Sequence, residues 1–308
     1  MRIKRIVIVF LILIILSSCA IENRRRKTFL AMGNIPIEVT LYTKDNLDFE
    51  KTFDEIESEI KRLDSLFSKH NPMSEVSLFN NSAKGIQASE DIITLVILSD
   101  SMKRKTKGYF DIEIETLLSY YKRCEDKQSD LSDDSILLYT GAILKDSVYI
   151  KNDSILKSDP VIKIDFGGIA KGYFGDAIVA IMKKNLFKKG IANLGGDISV
   201  VNDADDDFFK VGIRSAAGDS VAKVDSIQNG AIVTSGDYFR FYEIKNKKYC
   251  HIINPKTGYQ ADNIHSVTVK ALTGFEADAF ATAVMLMDSF ELDDFKEKNK
   301  EVSIYIQK

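Results

Sequence analysis

The sequence predicts an α+β fold in which helices flank a mainly antiparallel sheet core. Long segments with apolar residues at a helical spacing are separated by short runs of alternating or β-branched residues. In the second half of the chain these short runs follow one another closely, as the strands of hairpins do. Groups of strands with helical blocks between them are typical of α+β domains.

The first elements are a hairpin and two helices. Residues 29–43 are predicted as two strands joined by a turn at Gly33-Asn34. Residues 49–67 are predicted as a helix, because apolar residues recur there at a helical period. Residues 68–81 are polar and predicted as a loop with up to one turn of helix, and residues 89–105 as a second helix.

The later elements are shorter. Residues 124–160 are rich in Asp, Ser and Lys and indicate little beyond a short strand at 147–150. Residues 161–165 are predicted as a strand that enters a glycine-rich turn, and residues 170–186 as a helix. The remaining predictions are strands at 190–201 (with a turn inside), 210–214, 231–235, 248–253, 265–270 and 302–307, and a helix at 275–287.

Composition places the chain among ordinary globular proteins. It has 308 residues, of which 45% are hydrophobic and 28% charged. Lys and Arg number 42 against 45 Asp and Glu, a formal net charge of -3. Because no strongly basic face is expected from this balance, bulk electrostatics gives no reason to expect a nucleic-acid partner.

The N-terminus has the layout of a secretory signal. Three basic residues among the first five precede an apolar run at 6–16, which is short for a membrane-spanning helix. Two serines then precede Cys19, as in the lipidation site of bacterial lipoproteins. The predicted organisation is a signal peptide at 1–18, a lipidated tether at 19–27 and one domain at 28–308. Acyl chains on Cys19 would hold the protein at a membrane, at about 0.8 kcal/mol per buried methylene. A plain signal peptide or a membrane anchor stays open as the alternative.

Two cysteines remain besides Cys19. A disulfide between Cys124 and Cys250 stays open, although their spacing gives it no support. The cysteines and histidines show no spacing of the zinc type.

Two glycine-rich segments are candidate ligand sites. Residues 165–172 read Asp-Phe-Gly-Gly-Ile-Ala-Lys-Gly, after a predicted strand and at the start of a predicted helix. Glycine lets the backbone approach a ligand, free N–H groups at a helix start favour an anion, and Lys171 adds positive charge. A tight strand-to-helix turn explains the segment equally well, since it is neither a Walker loop nor a GxGxxG motif. Residues 193–197 contain a second glycine pair, for which a hairpin or bulge is at least as good an interpretation.

The late part of the chain adds a histidine and a polar helix face. His251 precedes a turn at residues 254–258, although a lone histidine is more often structural than catalytic. Asp278 and Thr282 are four residues apart and share one face of an apolar helix. Buried oxygens need partners, and a hard cation such as Mg²⁺ would satisfy both. A capping or ion-paired Asp, with the Thr bonded to its own helix, is the structural alternative.

Taken together and in order, these segments resemble the FAD:protein FMN transferases, the ApbE-type lipoproteins. The resemblance covers residues 28–308 and rests most on the late blocks at 234–238, 251–258 and 277–282. The other matching segments are Met32-Gly33, residues 67–77, Gly108-Tyr109-Phe110-Asp111, residues 165–172 and residues 193–197.

The resemblance implies an α+β enzyme that uses Mg²⁺ to cleave FAD, releases AMP and attaches FMN through a phosphoester to a Thr or Ser of a target flavoprotein subunit. It implies an FAD site lined by Met32, His70, Tyr109, Phe110, Asp111, Asp165, Lys171 and His251. It implies a metal site formed by Asp278, Thr282 and the carbonyl groups of Gly168 and Ala281. His251 is our candidate for the general base, with an unperturbed pKa of about 6.5.

The chain departs from the family pattern at four positions. His70 stands where the family usually has an aromatic ring, often Tyr, and Asn34, Cys250 and Asn254 replace the usual Thr, Ser and Asp. These changes concern flavin contacts and the surroundings of His251 and leave the metal residues intact. Two other functions stay open: an Mg²⁺-dependent FAD pyrophosphatase, and a lipoprotein that binds flavin without turnover.

Overall fold

The computed structural model describes residues 22–203, 207–237, 240–260 and 264–308. The predicted signal peptide, the lipidation site at Cys19 and Tyr238 lie outside these ranges. Within them, no helix combines the length and the apolar character needed to cross a bilayer.

The described ranges contain strands and helices in alternating groups. The strands are β1 (Asn23–Ala31), β2 (Ile35–Thr43), β3 (Gly85–Gln87), β4 (Val148–Lys151), β5 (Ser154–Lys157), β6 (Lys189–Leu194), β7 (Asp197–Asn202), β8 (Phe209–Arg214), β9 (Val221–Ile227), β10 (Gly230–Gly236), β11 (Phe241–Ile244), β12 (Lys247–Cys250), β13 (Ser266–Ala271) and β14 (Ser303–Gln307). The helices are α1 (Phe49–Phe67), α2 (Glu75–Asn81), α3 (Glu90–Lys105), α4 (Glu115–Lys127), α5 (Asp133–Ile143), α6 (Ala170–Lys184), α7 (Gly274–Val284) and α8 (Ser289–Lys298), with a 3₁₀ turn at Ile112–Ile114.

A seven-stranded antiparallel sheet, in the order β1-β2-β6-β7-β10-β13-β14, forms the centre. Helices α6 and α7 pack on one face, and α1 packs against α6. The hairpin β8–β9 covers part of the other face, where Ile198 and Val200 of β7 join Ile227 and Ile232 in an apolar cluster. Strand β7 is therefore buried at every residue. The predicted α+β class, with a mainly antiparallel sheet, is confirmed.

Helices α6 and α7 cross at a pair of glycines. A Cβ atom built on Gly172 would lie 2.0 Å from the carbonyl oxygen of Gly274, so neither position has room for a side chain. Asp176 fixes the crossing by accepting hydrogen bonds from the backbone N–H groups of Gly274 (2.7 Å) and Phe275 (3.0 Å). The crossing brings Asp278, one turn further along α7, against the first turn of α6.

A second core lies beside the sheet. Helices α4 and α5 pack against the hairpin β11–β12, with Leu117, Tyr121, Ile136 and Ile244 among the buried residues. Of these four elements the sequence predicts only β12, as part of the strand at 248–253. The sequence predictions also lack α8, β9 and most of α2, which replaces the second half of the predicted loop at 68–81.

Residues 161–165 do not form the predicted strand. Their backbone groups bind side chains instead of a neighbouring strand: Asn80 bonds both the N–H (2.7 Å) and the C=O (2.9 Å) of Ile164. The hydroxyl of Thr116 accepts a hydrogen bond from the N–H of Lys163 at 2.9 Å. Apolar residues do alternate here, but none of the described strands pairs with this segment.

Two further predictions need correction, and one question that the sequence left open is answered. The strand predicted at 248–253 ends at Cys250, so His251 lies just beyond β12. The predicted tether at 19–27 is too long, because Asn23 to Lys27 already belong to β1 and pair with β2. Cys124 and Cys250 are both free thiols, so the disulfide left open by the sequence is absent between these two described residues.

Candidate functional site

The candidate metal residues meet where the glycine-rich turn passes the middle of α7. A Cβ atom built on Gly168 would lie 3.2 Å from Thr282 Oγ1 and 3.3 Å from Phe110 Cε2. On the other side of Thr282, Ser235 Oγ of β10 lies 3.4 Å from Thr282 Oγ1. The turn, α7 and β10 therefore bring several oxygen atoms to one place, as the resemblance implies for a cation site.

Asp278 places a carboxylate in the same region, almost out of contact with solvent. It is 2% exposed, and its Oδ2 atom accepts a hydrogen bond from Gly172 N at 3.1 Å. Burial raises the pKa of Asp278 to about 6, Asp197 adds to the increase, and the positive charge of Lys171 opposes it. The negative charge of Asp278 is thus only partly compensated by its protein neighbours.

Lys171 forms a buried ion pair with Asp197 at the start of β7. Burial alone would lower the pKa of Lys171, but the carboxylates of Asp197 and Asp278 outweigh it and raise that pKa. The other oxygen of Asp197, Oδ1, accepts a hydrogen bond from Thr234 N at 3.0 Å. These contacts join α6, β7 and β10 around Asp278.

The donor set fits a small hard cation. Asp278 offers a carboxylate and Thr282 a hydroxyl, and Gly168 is in contact with Thr282. Ala281 is fully buried, and its carbonyl accepts a weak helix hydrogen bond from Met285 N at 3.4 Å. In the described part of the chain, no three His, Cys, Asp or Glu residues group as metal ligands. One carboxylate with neutral oxygens suits Mg²⁺, which retains water or phosphate in its other positions.

Asp165 lies at the entrance to the glycine turn in a network that the sequence did not predict. Its Oδ2 atom is 2.9 Å from Lys69 Nζ, which is also 2.8 Å from Glu115 Oε2. Its Oδ1 atom accepts a hydrogen bond from Gly167 N at 3.0 Å. Burial alone would lower the pKa of Lys69, but the carboxylates of Asp165 and Glu115 outweigh this effect and raise the pKa. No motif marks Lys69 or Glu115, since one follows α1 in the predicted loop and the other begins the unpredicted α4.

His251 is held in one tautomer. Its Nδ1 atom lies 2.9 Å from the carbonyl oxygen of Arg240, and because a carbonyl only accepts, we assign the ring hydrogen to Nδ1. The Nε2 atom then carries the lone pair. Burial lowers the pKa of His251, the hydrogen bond to Arg240 opposes this, and the positive charges of Arg240, Lys171 and Lys69 add to the decrease. His251 is therefore a neutral base at neutral pH.

The other predicted FAD residues lie around this centre with contacts of their own. The hydroxyl of Tyr109 donates to Glu291, and Lys256 Nζ lies 3.6 Å from the centre of the Tyr109 ring. Asp111 is buried, pairs with Lys103 at 2.6 Å and accepts a hydrogen bond from Glu113 N at 2.9 Å.

Met32 and His70 lie nearer the hairpin and the loop after α1. The N–H of Met32 donates to Asp64 Oδ1 at 3.0 Å, and its φ of 51° belongs to the β1–β2 turn. His70 is exposed. The structure thus brings Gly168 together with Thr282 and Phe110 and places Asp278 one helical turn before Thr282, against Gly172. Met32, Tyr109 and Asp111 bond other groups.

Comparison with known proteins gives consistent results. The model of the ApbE family matches residues 32–306. A protein of Klebsiella pneumoniae named FAD:protein FMN transferase is 26% identical over 269 residues, covering 85% of this chain and 82% of its own length. A protein of the same name from Haemophilus influenzae is 24% identical and covers 83% and 78%. One from Treponema pallidum is 34% identical over 138 residues, covering 41% and 38%.

Solved structures show the same fold. The ApbE protein of Thermotoga maritima superposes with a TM-score of 0.82 at 23% identity, covering 92% of this chain and 94% of its own. The flavin transferase ApbE of Vibrio cholerae has a TM-score of 0.78 at 21% identity, covering 92% and 93%.

Proposed function

This chain belongs to the ApbE family, and we propose that it is an Mg²⁺-dependent enzyme that transfers FMN from FAD to a target flavoprotein. Curated relatives of the chain are named FAD:protein FMN transferases. The observation that carries the proposal is the packing of the glycine turn and the start of α6 on α7, with Gly168 next to Thr282 and Gly172 bonded to Asp278. The fixed tautomer of His251 supports it. FAD is the donor, AMP is the leaving product, and a Thr or Ser of the target is the acceptor.

The cation would be held by the Asp278 carboxylate, the Thr282 hydroxyl and the Gly168 carbonyl, with the Ala281 carbonyl nearby. When bound, Mg²⁺ neutralises charge on the pyrophosphate and orients the leaving group. Asp278 can serve as a ligand because its charge is left only partly compensated by Lys171 and by the N–H of Gly172.

His251 activates the acceptor hydroxyl. The hydroxyl oxygen forms a bond to the phosphorus of the FMN half, the bond between that phosphorus and the bridging oxygen breaks, and AMP departs with the electron pair. The hydroxyl proton moves to Nε2 of His251, which is free for it because Nδ1 is committed to Arg240. Such general-base assistance is worth about 10²- to 10⁴-fold in rate.

The remaining residues of the site bind the flavin nucleotide. We assign to this role Met32, His70, Tyr109, Phe110, Asp111, Asp165 and Lys171. Lys69 neutralises Asp165, so that the phosphate groups of FAD approach without repulsion from this carboxylate. We further propose that the mature chain is attached through lipid on Cys19 to a membrane of the bacterial cell envelope, on its extracytoplasmic face.

The test is incubation of the protein with FAD, MgCl₂ and the soluble domain of a candidate flavoprotein subunit, followed by mass measurement of that domain. We expect a mass increase equal to one FMN residue, with AMP in equal amount, and neither product when EDTA removes the metal. AMP and free FMN without flavin on the acceptor would instead identify a FAD pyrophosphatase. Bound FAD without any AMP would identify a protein that only carries flavin.

A further inference from the structure

An open cavity lies at one end of the central sheet, where β10, β13 and β14 meet the turn between β8 and β9. Its volume is about 700 Å³, in the range of ligand-binding sites. The residues that matter for its chemistry are Asp237, Phe241, Lys248, Cys250, His265 and Gln307. Among the described residues that line it, none belongs to the set assigned to FAD or Mg²⁺.

Two lining residues of the cavity are close to residues of the proposed reaction centre. Cys250, which lines it, has its Sγ atom 4.0 Å from Nδ1 of His251. Asp237, on another wall, is two residues after Ser235, whose hydroxyl oxygen is 3.4 Å from Thr282 Oγ1. The cavity wall therefore lies close to the ring of His251, and the strand that ends at Asp237 carries Ser235, which contacts the proposed cation ligand Thr282.

His265 lines the cavity and is held in a fixed orientation. Its Nδ1 atom lies 2.8 Å from Asp237 Oδ2, and its carbonyl oxygen accepts a hydrogen bond from Asp237 N at 3.1 Å. Its own N–H donates to the carbonyl oxygen of Gln307 at 2.9 Å. Since Asp237 occupies Nδ1 and the side chain is 60% exposed, Nε2 is the ring atom available to a ligand.

The wall next to His265, around Gln307, is pre-formed. The Gln307 side chain accepts a hydrogen bond from Ala216 N at 3.0 Å and donates to the Arg214 carbonyl and to Ser266 Oγ, both at 2.9 Å. These bonds fasten the β8–β9 turn to the sheet. The cavity is therefore a built feature of the fold, and a ligand does not have to order these groups when it binds.

We propose that this cavity, the acceptor groove, binds the segment of the target protein that carries the acceptor Thr or Ser. The proposal rests on the proposed function, because only a transferase has to hold a polypeptide beside its base. A peptide segment needs hydrogen-bonding partners and apolar contact together. The groove offers the imidazole of His265 and the ring of Phe241, which is 47% exposed and has Lys248 Nζ 4.3 Å from its centre.

The test compares the KM for the acceptor domain with the KM for FAD in the full chain. His265→Ala is expected to raise the acceptor KM by about 3- to 10-fold, the loss of one hydrogen bond. His265→Gln, which keeps a side-chain donor and acceptor, should recover most of that loss. The double variant His265→Ala/Phe241→Ala should raise the acceptor KM further, with the KM for FAD unchanged. Lys298→Ala on α8, an exposed residue paired with Asp294, is the matched control.

The outcomes are distinct. Transfer by the double variant with an unchanged acceptor KM, or an equal rise in the KM for FAD, would overturn the groove and leave the proposed function standing. If the unaltered protein transfers no FMN, the proposed function fails and the groove proposal fails with it. Melting temperatures of all variants close to that of the unaltered protein exclude misfolding as the cause of a raised KM.

Discussion

Replacing Asp278 by asparagine should stabilise the protein in the absence of metal and abolish its Mg²⁺-dependent transfer of FMN. Burial raises the pKa of Asp278 to about 6 from an ordinary value of 3.8. At 1.36 kcal/mol per pH unit, the ionised carboxylate costs the folded state about 3 kcal/mol above pH 6. Asn has the same shape without the charge, so Asp278→Asn removes this cost.

The difference in stability between the variant and the unaltered protein should increase with pH. A carboxyl group whose pKa is raised by folding costs nothing while both states are protonated, below its unfolded pKa of 3.8. The cost grows between pH 3.8 and about 6 and is fully present above. The variant should therefore be more stable than the unaltered protein by up to about 3 kcal/mol at pH 8, with the difference vanishing near pH 4.

Mg²⁺ should offset most of this difference in stability. At a free concentration of 100 times its Kd, the metal stabilises the unaltered protein by about 2.7 kcal/mol and should leave Asp278→Asn unaffected. The assay is urea unfolding at pH 8 and pH 4.5, with and without MgCl₂, alongside FMN transfer. Asp126→Asn, an exposed carboxylate of α4 that pairs with Lys122, is the control and should change stability by less than about 0.5 kcal/mol. A metal-free Asp278→Asn protein that is less stable at pH 8, or one that Mg²⁺ stabilises as much as the unaltered chain, would refute the reasoning.

Three other predictions concern the base, the helix crossing and the buried ion pair. His251→Gln should lower the rate of FMN transfer by about 10²- to 10⁴-fold while FAD still binds. In the unaltered protein, the value of kcat/KM should fall on the acid side only below pH 6.5. The reason is that the pKa of His251 is lowered and its neutral form is the active one. Gly172→Ala should destabilise the fold by about 1–3 kcal/mol or more, since its Cβ would meet the backbone of Gly274. Gly141→Ala in α5 is the control and should not destabilise the fold, because a Cβ there meets nothing within 4 Å. Equal melting temperatures for the two variants would contradict this account. Lys171→Met should cost about 3–5 kcal/mol in urea unfolding, because its carboxylate partners stay buried without it, and a cost below about 1 kcal/mol would count against the ion pair.

The parts of the fold that the sequence predicts are those in which a local pattern is sufficient. The hairpin β1–β2 and helices α1, α6 and α7 each have their own periodicity or turn residues. Helices α4 and α5 pack in a separate core against β11–β12. Their burial therefore depends on a hairpin that lies about a hundred residues further along the sequence. Residues 161–165 look like a strand, but their partners are the side chains of Asn80 and Thr116, which no pattern in that segment reveals.

The site divides in the same way. The shared helix face of Asp278 and Thr282 follows from their spacing alone. The contact of Gly168 with Thr282 depends on the crossing of α6 and α7, and the sequence reaches it only through the family resemblance. Lys69 escapes prediction because its partners, Glu115 and Asp165, are 46 and 96 residues away.

If Cys19 carries lipid, as proposed, the early start of β1 limits the distance between the domain and the bilayer. Glu22 is already paired with Lys189 at 3.2 Å, and the first strand begins at the next residue. Three residues span at most about 11 Å, so lipid on Cys19 would keep the start of β1 within about that distance of the membrane surface. Such an enzyme would reach only those targets whose acceptor hydroxyl lies close to the lipid headgroups. A longer tether between Cys19 and β1 would let it reach targets further from the membrane.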